Sequence, residues 1–225
     1  MANLTWDEIL RTLERMLGAS VTTLELFGFT LLFALPLGLL VSFGRMSKVK
    51  PLRWAIQLYL LIMRGTPLMI QLIFFWFVLP AKSILPDSFS DQTCRLIVAI
   101  VAFSLNYAAY FAEIYRSGIE GVPSGQREAA SVLGFSRGQT FFHVVLPQVV
   151  KRILPPMGNE FMTLVKDTSL AQVIAVAEMT WLAGKIQASM VSIFPVVVAA
   201  MFYLMMNAVV SKCFSVAEKR LSYYH

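Results

Sequence analysis

SVTTLELFGFTLLFALPLGLLVSFG, residues 20–44, is a predominantly apolar run longer than the roughly 20 residues that a helix needs to cross about 30 Å of hydrocarbon. Four further stretches, near 55–79, 95–117, 153–177 and 191–214, have comparable length. The fourth is the weakest, because it carries Pro155, Pro156, Glu160, Lys166 and Asp167. Composition agrees with this reading: 57% of the residues are hydrophobic, only 14% are charged, and mean hydropathy is +0.68, outside the usual range of soluble domains. The expectation is an all-α integral membrane protein of about five transmembrane helices, forming a single domain over residues 1–225.

Outward from these runs, charge sets the orientation. Twelve basic residues fall on one side: Arg45, Lys48, Lys50 and Arg53 in the first loop, Arg116, Arg127, Arg137, Lys151 and Arg152 in the third, and Lys212, Lys219 and Arg220 in the tail. Only five, Arg11, Arg15, Lys82, Arg95 and Lys185, fall on the other. The positive-inside rule then places the N-terminus outside and the C-terminus in the cytoplasm. It also accounts for the net charge of +6 without a nucleic-acid partner. The first residues lack the basic segment of a cleavable signal peptide. Trp6, Ile9, Leu10, Leu13, Met16 and Leu17 recur at helical spacing, which predicts an interfacial amphipathic helix over residues 1–18.

The longest connection, residues 118–152, reads as two short cytoplasmic helices. Pro123 suits a helix start, Gly134 a helix end at positive φ, and Ser136 with Gln139 a capping box opening a second helix that stops at Pro147.

Charged side chains inside spans cost on the order of 2.5–3.5 kcal/mol each on insertion scales and call for a reason. Gln57, Arg64 and Gln71 are seven apart and share a face, and Pro67 is expected to break that helix just beyond Arg64, freeing backbone groups. Asn106, Tyr110, Glu113 and Ser117 form one stripe; Asn159, Glu160, Thr163, Lys166 and Asp167 form another. At about 1.5 Å per residue, Arg64 lies roughly 16 Å in from the cytoplasmic end of its span. These stripes predict a midplane site for a zwitterion, with Arg64 or Lys166 on the carboxylate and Asp167 or Glu113 on the ammonium. Pairing among themselves, Arg64 with Glu113 or Lys166 with Asp167, is the structural alternative. Glu160 reads as a support for the cytoplasmic loop.

Glu128-Ala129-Ala130, Gly134 after three residues, and Val144-x-Leu146-Pro147 after nine more resemble the EAA loop of importer-type ABC permeases, where Ile is usual at Val144. Arg64-Gly65-Thr66-Pro67-Leu68, Tyr107-Ala108-Ala109-Tyr110 with Glu113, and Lys166-Asp167-Thr168-Ser169-Leu170 are similar to segments of the polar amino acid branch. The likeness runs from about Gly18 to the end of the last span. It implies a permease subunit of the bacterial cytoplasmic membrane that dimerises with itself or a related permease. Two cytoplasmic ABC ATPases and an extracytoplasmic solute-binding protein are the implied partners. The substrate-pathway candidates are Arg64, Thr66, Gln71, Asn106, Tyr107, Tyr110, Glu113, Lys166, Asp167, Thr168 and Ser169. Those for ATPase coupling are Glu128, Ala129, Ala130, Gly134, Leu146 and Pro147, whose small members let a partner approach the backbone.

No cofactor is expected in this chain: ATP and Mg would sit in the partner, since Gly184-Lys185 is followed by Ile186 and lacks the upstream glycine of a phosphate loop. No catalytic motif or metal spacing is present; Cys94, Cys213, His143 and His225 are isolated. A channel or secondary transporter with Glu113 and Asp167 as ion-coupling groups, and an ABC permease for another solute, remain the competing readings.

Overall fold

The computed structural model describes residues 5–86 and 88–221, without the side chain of Lys82. His225 and the first four residues of the expected surface helix lie outside the described residues. Among the described residues every regular element is helical. In chain order these are α1 (Trp6–Arg45), α2 (Lys50–Gly65), α3 (Leu68–Val78), α4 (Ala81–Ile84), α5 (Asp91–Glu120), α6 (Ser124–Val132) and α7 (Arg137–Gln139). Then follow π turns at Thr140–Val145, α8 (Leu146–Asp167), 3-10 turns at Thr168–Ile174, α9 (Met179–Met190) and α10 (Phe194–Arg220).

Helices α1, α5 and α10 are each long and apolar enough to cross a membrane, and α2 with α3 makes a fourth candidate in two pieces. The 22 residues of α8 span about 33 Å at 1.5 Å per residue, but Lys151, Arg152, Glu160, Lys166 and Asp167 make it less apolar than the other long helices; it packs against α5 and α10.

The first expectation to change is the surface helix. Its described residues are the opening turns of α1, a single 40-residue helix with a Thr5–Glu8 capping box and no interruption at Gly18. Such a helix is about 60 Å long, twice the hydrocarbon thickness. Its buried stripe, Thr12, Met16, Ala19, Thr23, Leu26, Thr30 and Ala34, steps by three or four residues and faces protein along its length. Met16, with no exposed surface, packs against Met179, Ala183 and Ile186 of α9 and Val198 of α10.

The centre of the bundle is α5. Ala99, Ala102, Ala108, Ala109 and Ala112 are buried there, and Phe103, Tyr107 and Phe111 fill the core between them. Without a hydrophobic effect between lipid-bathed helices, close contact of small residues supplies the packing energy. The Gly38–α5 crossing shows how close: a Cβ on Gly38 would lie 2.9 Å from Phe111 Cβ and 3.0 Å from the Ala108 carbonyl oxygen. Farther along, Phe161 of α8 stands edge-on to Phe214 of α10 at 4.9 Å between centroids and meets Phe111 at 5.9 Å.

Span two breaks where Pro67 requires, and α2 ends at Gly65. The angle between α2 and α3 is 112°, so the break is a corner and not a kink. Pro147 behaves differently from the expectation of a stop. It sits in the first turn of α8, directly after the π turns, and the chain runs helically from Arg137 to Asp167. Within this continuous path Pro147 removes one donor, and it falls where the hydrogen-bond register changes from the i−5 bonds of the π turns to the i−4 bonds of α8.

Gly38→Ala is expected to destabilise the protein by about 1–3 kcal/mol through overpacking, seen as a lower Tm in detergent. Gly28→Ala, with nothing within 4 Å of the added Cβ, leaves Tm unchanged.

Candidate functional site

The corner at Gly65–Pro67 leaves carbonyls without helical donors, and two side-chain amides supply them. Gln71 Nε2 donates to Met63 O at 3.0 Å, Thr66 O at 3.2 Å and Thr66 Oγ1 at 2.7 Å. Asn106 Nδ2, from α5, donates to the same Met63 O at 2.9 Å and to Gln71 Oε1 at 2.9 Å. Both amides are buried. Tyr59 adds a hydrogen bond from its hydroxyl to Leu105 O, so the end of α2 is tied to α5 on both sides of the corner.

Between this corner, α5 and α8 lies a cleft of about 330 Å³ lined by Thr66, Pro67, Asn106, Tyr107, Tyr110, Glu160, Thr163 and Asp167. Tyr107 is almost wholly buried, and its hydroxyl donates to Asp167 Oδ2 at 2.8 Å. Glu160 and Asp167 are seven residues apart on one face of α8, about 10 Å along the axis. The cleft wall therefore carries two carboxylates and no cation.

Arg64 stands outside it. Its guanidinium lies 5.5 Å from the centroid of the Tyr110 ring and 3.9 Å from Glu113. It lines a separate open hollow of about 480 Å³ with Arg45, Gln57 and Glu113. Glu113 is held by Arg116 at 2.6 Å, with Arg45 at 4.0 Å. The alternative of an Arg64–Glu113 pairing is thus present as one loose contact in a larger cluster, and Glu113 is not among the residues lining the cleft.

Three other candidates from span four also stay out of it. Lys166 is exposed. The Thr168 hydroxyl donates to Val165 O and that of Ser169 to Lys166 O, each at 2.7 Å, closing the last turn of α8 as it tightens into 3-10 geometry. Of the candidate pathway residues, the structure brings together Thr66, Asn106, Tyr107, Tyr110 and Asp167, with Gln71 directly behind. It adds Glu160 and Thr163, whose signal was the spacing from Asp167 on the same face.

The long loop between α5 and α8 is organised by its glycine. Gly134 has φ +80°, Gly134 N–H donates to Ser131 O and Phe135 N–H to Ala130 O at 3.0 Å each, the paired bonds of a Schellman ending. Ser136 and Gln139 form the capping box that opens α7. Glu128, Ala129 and Gly134 are exposed, but Ala130 is 3% exposed and faces inward against the π turns, so it is not offered to a partner. Leu146 and Pro147 are half-buried at the start of α8. Residues the motif does not mark flank the glycine: Val132 and Leu133 are 87% and 75% exposed, and Phe135 on its other side is exposed too.

The family described as binding-protein-dependent transport system inner membrane component matches residues 34–223. The chain belongs to that family. It is 37% identical over 222 residues to the L-cystine transport system permease protein TcyB of Bacillus subtilis, covering 97% of this chain and 92% of that protein. It is 33% identical over 222 residues to the glutamine transport system permease protein GlnP of Escherichia coli, covering 96% and 97%. A crystal structure of an amino acid ABC transporter with histidines superposes with a TM-score of 0.83 at 30% identity, over 97% of this chain and 99% of that one. An inward facing structure of the MetNI methionine ABC transporter, 16% identical with a TM-score of 0.70, shares the fold.

Gln71→Leu removes the donors of the corner and is expected to lower stability by about 1–3 kcal/mol. Lys166→Gln, at an exposed site, stays within about 0.5 kcal/mol of wild type. Thermal unfolding in detergent separates the two.

Proposed function

We propose that this permease takes an amino acid into the cleft between the corner and α8 and forms half of a translocation pathway in the bacterial cytoplasmic membrane. One observation carries the reading: a cleft of amino acid size whose wall bears Glu160 and Asp167, with Arg64 at its edge across the Tyr110 ring. The two carboxylates take the ammonium, and Arg64 takes the carboxylate by leaving its loose contact with Glu113, which Arg116 keeps neutralised. Tyr107 fixes the Asp167 carboxylate through its hydroxyl, so one oxygen is oriented before the solute arrives. In a low-dielectric wall this pairing is what an ionised solute requires.

The second half of the proposal concerns energy. The binding-protein-dependent family and the likeness to an amino acid ABC transporter support a solute-binding protein and cytoplasmic ATPases as partners; two ATPase copies that bind the ATP, a second permease copy or relative, five spans and an N-terminus outside belong to the same proposal. The exposed Val132, Leu133 and Phe135 flanking Gly134 are an apolar knob outside any bilayer-length helix, suited to a groove on an ATPase. The continuous helical path from Arg137 into α8 transmits movement of that knob to the cleft.

Asp167→Asn is expected to lower uptake at least about tenfold, a loss of about 1.4 kcal/mol, while Cys94→Ser has a far smaller effect; equal effects would remove the cleft from the pathway. Gly134→Leu, which forces a β-free position at positive φ to carry a side chain, is expected to separate ATP hydrolysis from uptake while the permease stays inserted. Normal uptake by that variant contradicts the lever role.

A further inference from the structure

On α8, the side of the helix that carries the cleft is also its uncovered side. Arg152, Pro155, Asn159, Thr163 and Lys166 step along it by three or four residues and are all exposed. Polar side chains on a lipid-facing surface are costly, so this stripe borders water. At its loop end it opens into a recess of about 600 Å³ lined by Gln126, His143, Gln148, Lys151, Arg152 and Pro155.

The recess has the opposite character to the cleft. No carboxylate lines it, and neither Lys151 nor Arg152 makes a hydrogen bond or ion pair among the described residues. Gln148 is held by Val144 O at 2.8 Å and reaches Gln126 at 3.3 Å, and His143 Nδ1 is 3.1 Å from Gln139 O. The two Gln148 bonds join α6 and the π turns to the first turn of α8. Pro155 has no N–H, so the carbonyl of Lys151, a residue that lines the same recess, lacks its i+4 helical donor. Unpaired cations beside a free carbonyl acceptor complement a zwitterion's carboxylate and ammonium together.

We propose that this recess is a second amino acid site on the loop side of the permease, holding the carboxylate on Lys151 and Arg152, and that filling it from inside slows uptake. The proposal rests on the amino acid reading of the cleft. Because the recess spans α6, the π turns and α8, an occupant clamps the loop to the helix that carries Glu160 and Asp167 and opposes their relative movement.

The test is uptake by proteoliposomes holding the assembled transporter, using whichever of L-cystine, L-glutamine or L-arginine it carries, with the same amino acid preloaded inside. Wild-type uptake is expected to fall as internal amino acid rises. In Lys151→Gln/Arg152→Gln about tenfold more internal amino acid is needed for the same fall, about 1.4 kcal/mol, with KM for external amino acid unchanged. Lys151→Arg/Arg152→Lys, which keeps both charges, keeps the inhibition. Uptake by the neutral variant from empty vesicles reports its folding; if it is inactive, Arg152→Gln alone, whose exposed side chain has no partner to lose, takes its place. Inhibition identical in wild type and variant overturns the proposal, as does equal inhibition by internal inorganic phosphate, which would make the recess a general anion site. Amino acid uptake with no internal inhibition overturns this proposal alone. No amino acid uptake at all overturns the cleft reading and this one with it.

Discussion

A carbonyl freed inside a bilayer has no water to turn to, and its donor must come from the protein. The corner at Gly65–Pro67 creates that demand, and Gln71 and Asn106 meet it with four hydrogen bonds to Met63 and Thr66. Asn106 sits on α5, so satisfying the corner also fixes the distance between α2, α3 and the central helix. That distance is one wall of the cleft. The amides thus connect a local sequence event, a proline after glycine and threonine, to the cleft where Tyr107, Tyr110 and Asp167 converge on the corner.

Charge is sorted around this frame. Glu113 gathers Arg45, Arg64 and Arg116 toward the loop end of α5, while Glu160 and Asp167 face the cleft without a cation among its lining. An ion cluster of three guanidiniums on one carboxylate holds helices together and leaves spare donors at its margin. Arg64 occupies that margin, over the Tyr110 ring. In the proposed pathway, binding and release of a zwitterion require little more than a change of partner for one guanidinium.

Much of this was legible in the sequence because the signals are local. Pro67 announces the break, the stripes on α5 and α8 announce a polar interior, and Gly134, Ser136 and Gln139 announce a helix end and a helix start through their own backbone chemistry. What was not legible depends on neighbours. Periodicity at Trp6–Leu17 is the same for a surface helix and for the first turns of a long one, and only packing on α9 and α10 decides. Pro147 forbids a donor but does not by itself stop a helix, and the π turns ahead of it carry no residue signature. Thr168 and Ser169 share the motif of Asp167, yet their short hydroxyls reach the backbone of their own helix first. The 112° corner is set by contacts with α5 and the 3-10 turns, which no stretch of α2 or α3 encodes.

The central claim is that the acidic cleft is where the transported amino acid rests. An electron cryomicroscopy map of the assembled transporter with saturating amino acid tests it directly. The account gives density between Tyr110, Glu160 and Asp167, with the Arg64 guanidinium turned from Glu113 toward it. An empty cleft, with density instead only between Arg45, Arg64 and Glu113, contradicts it.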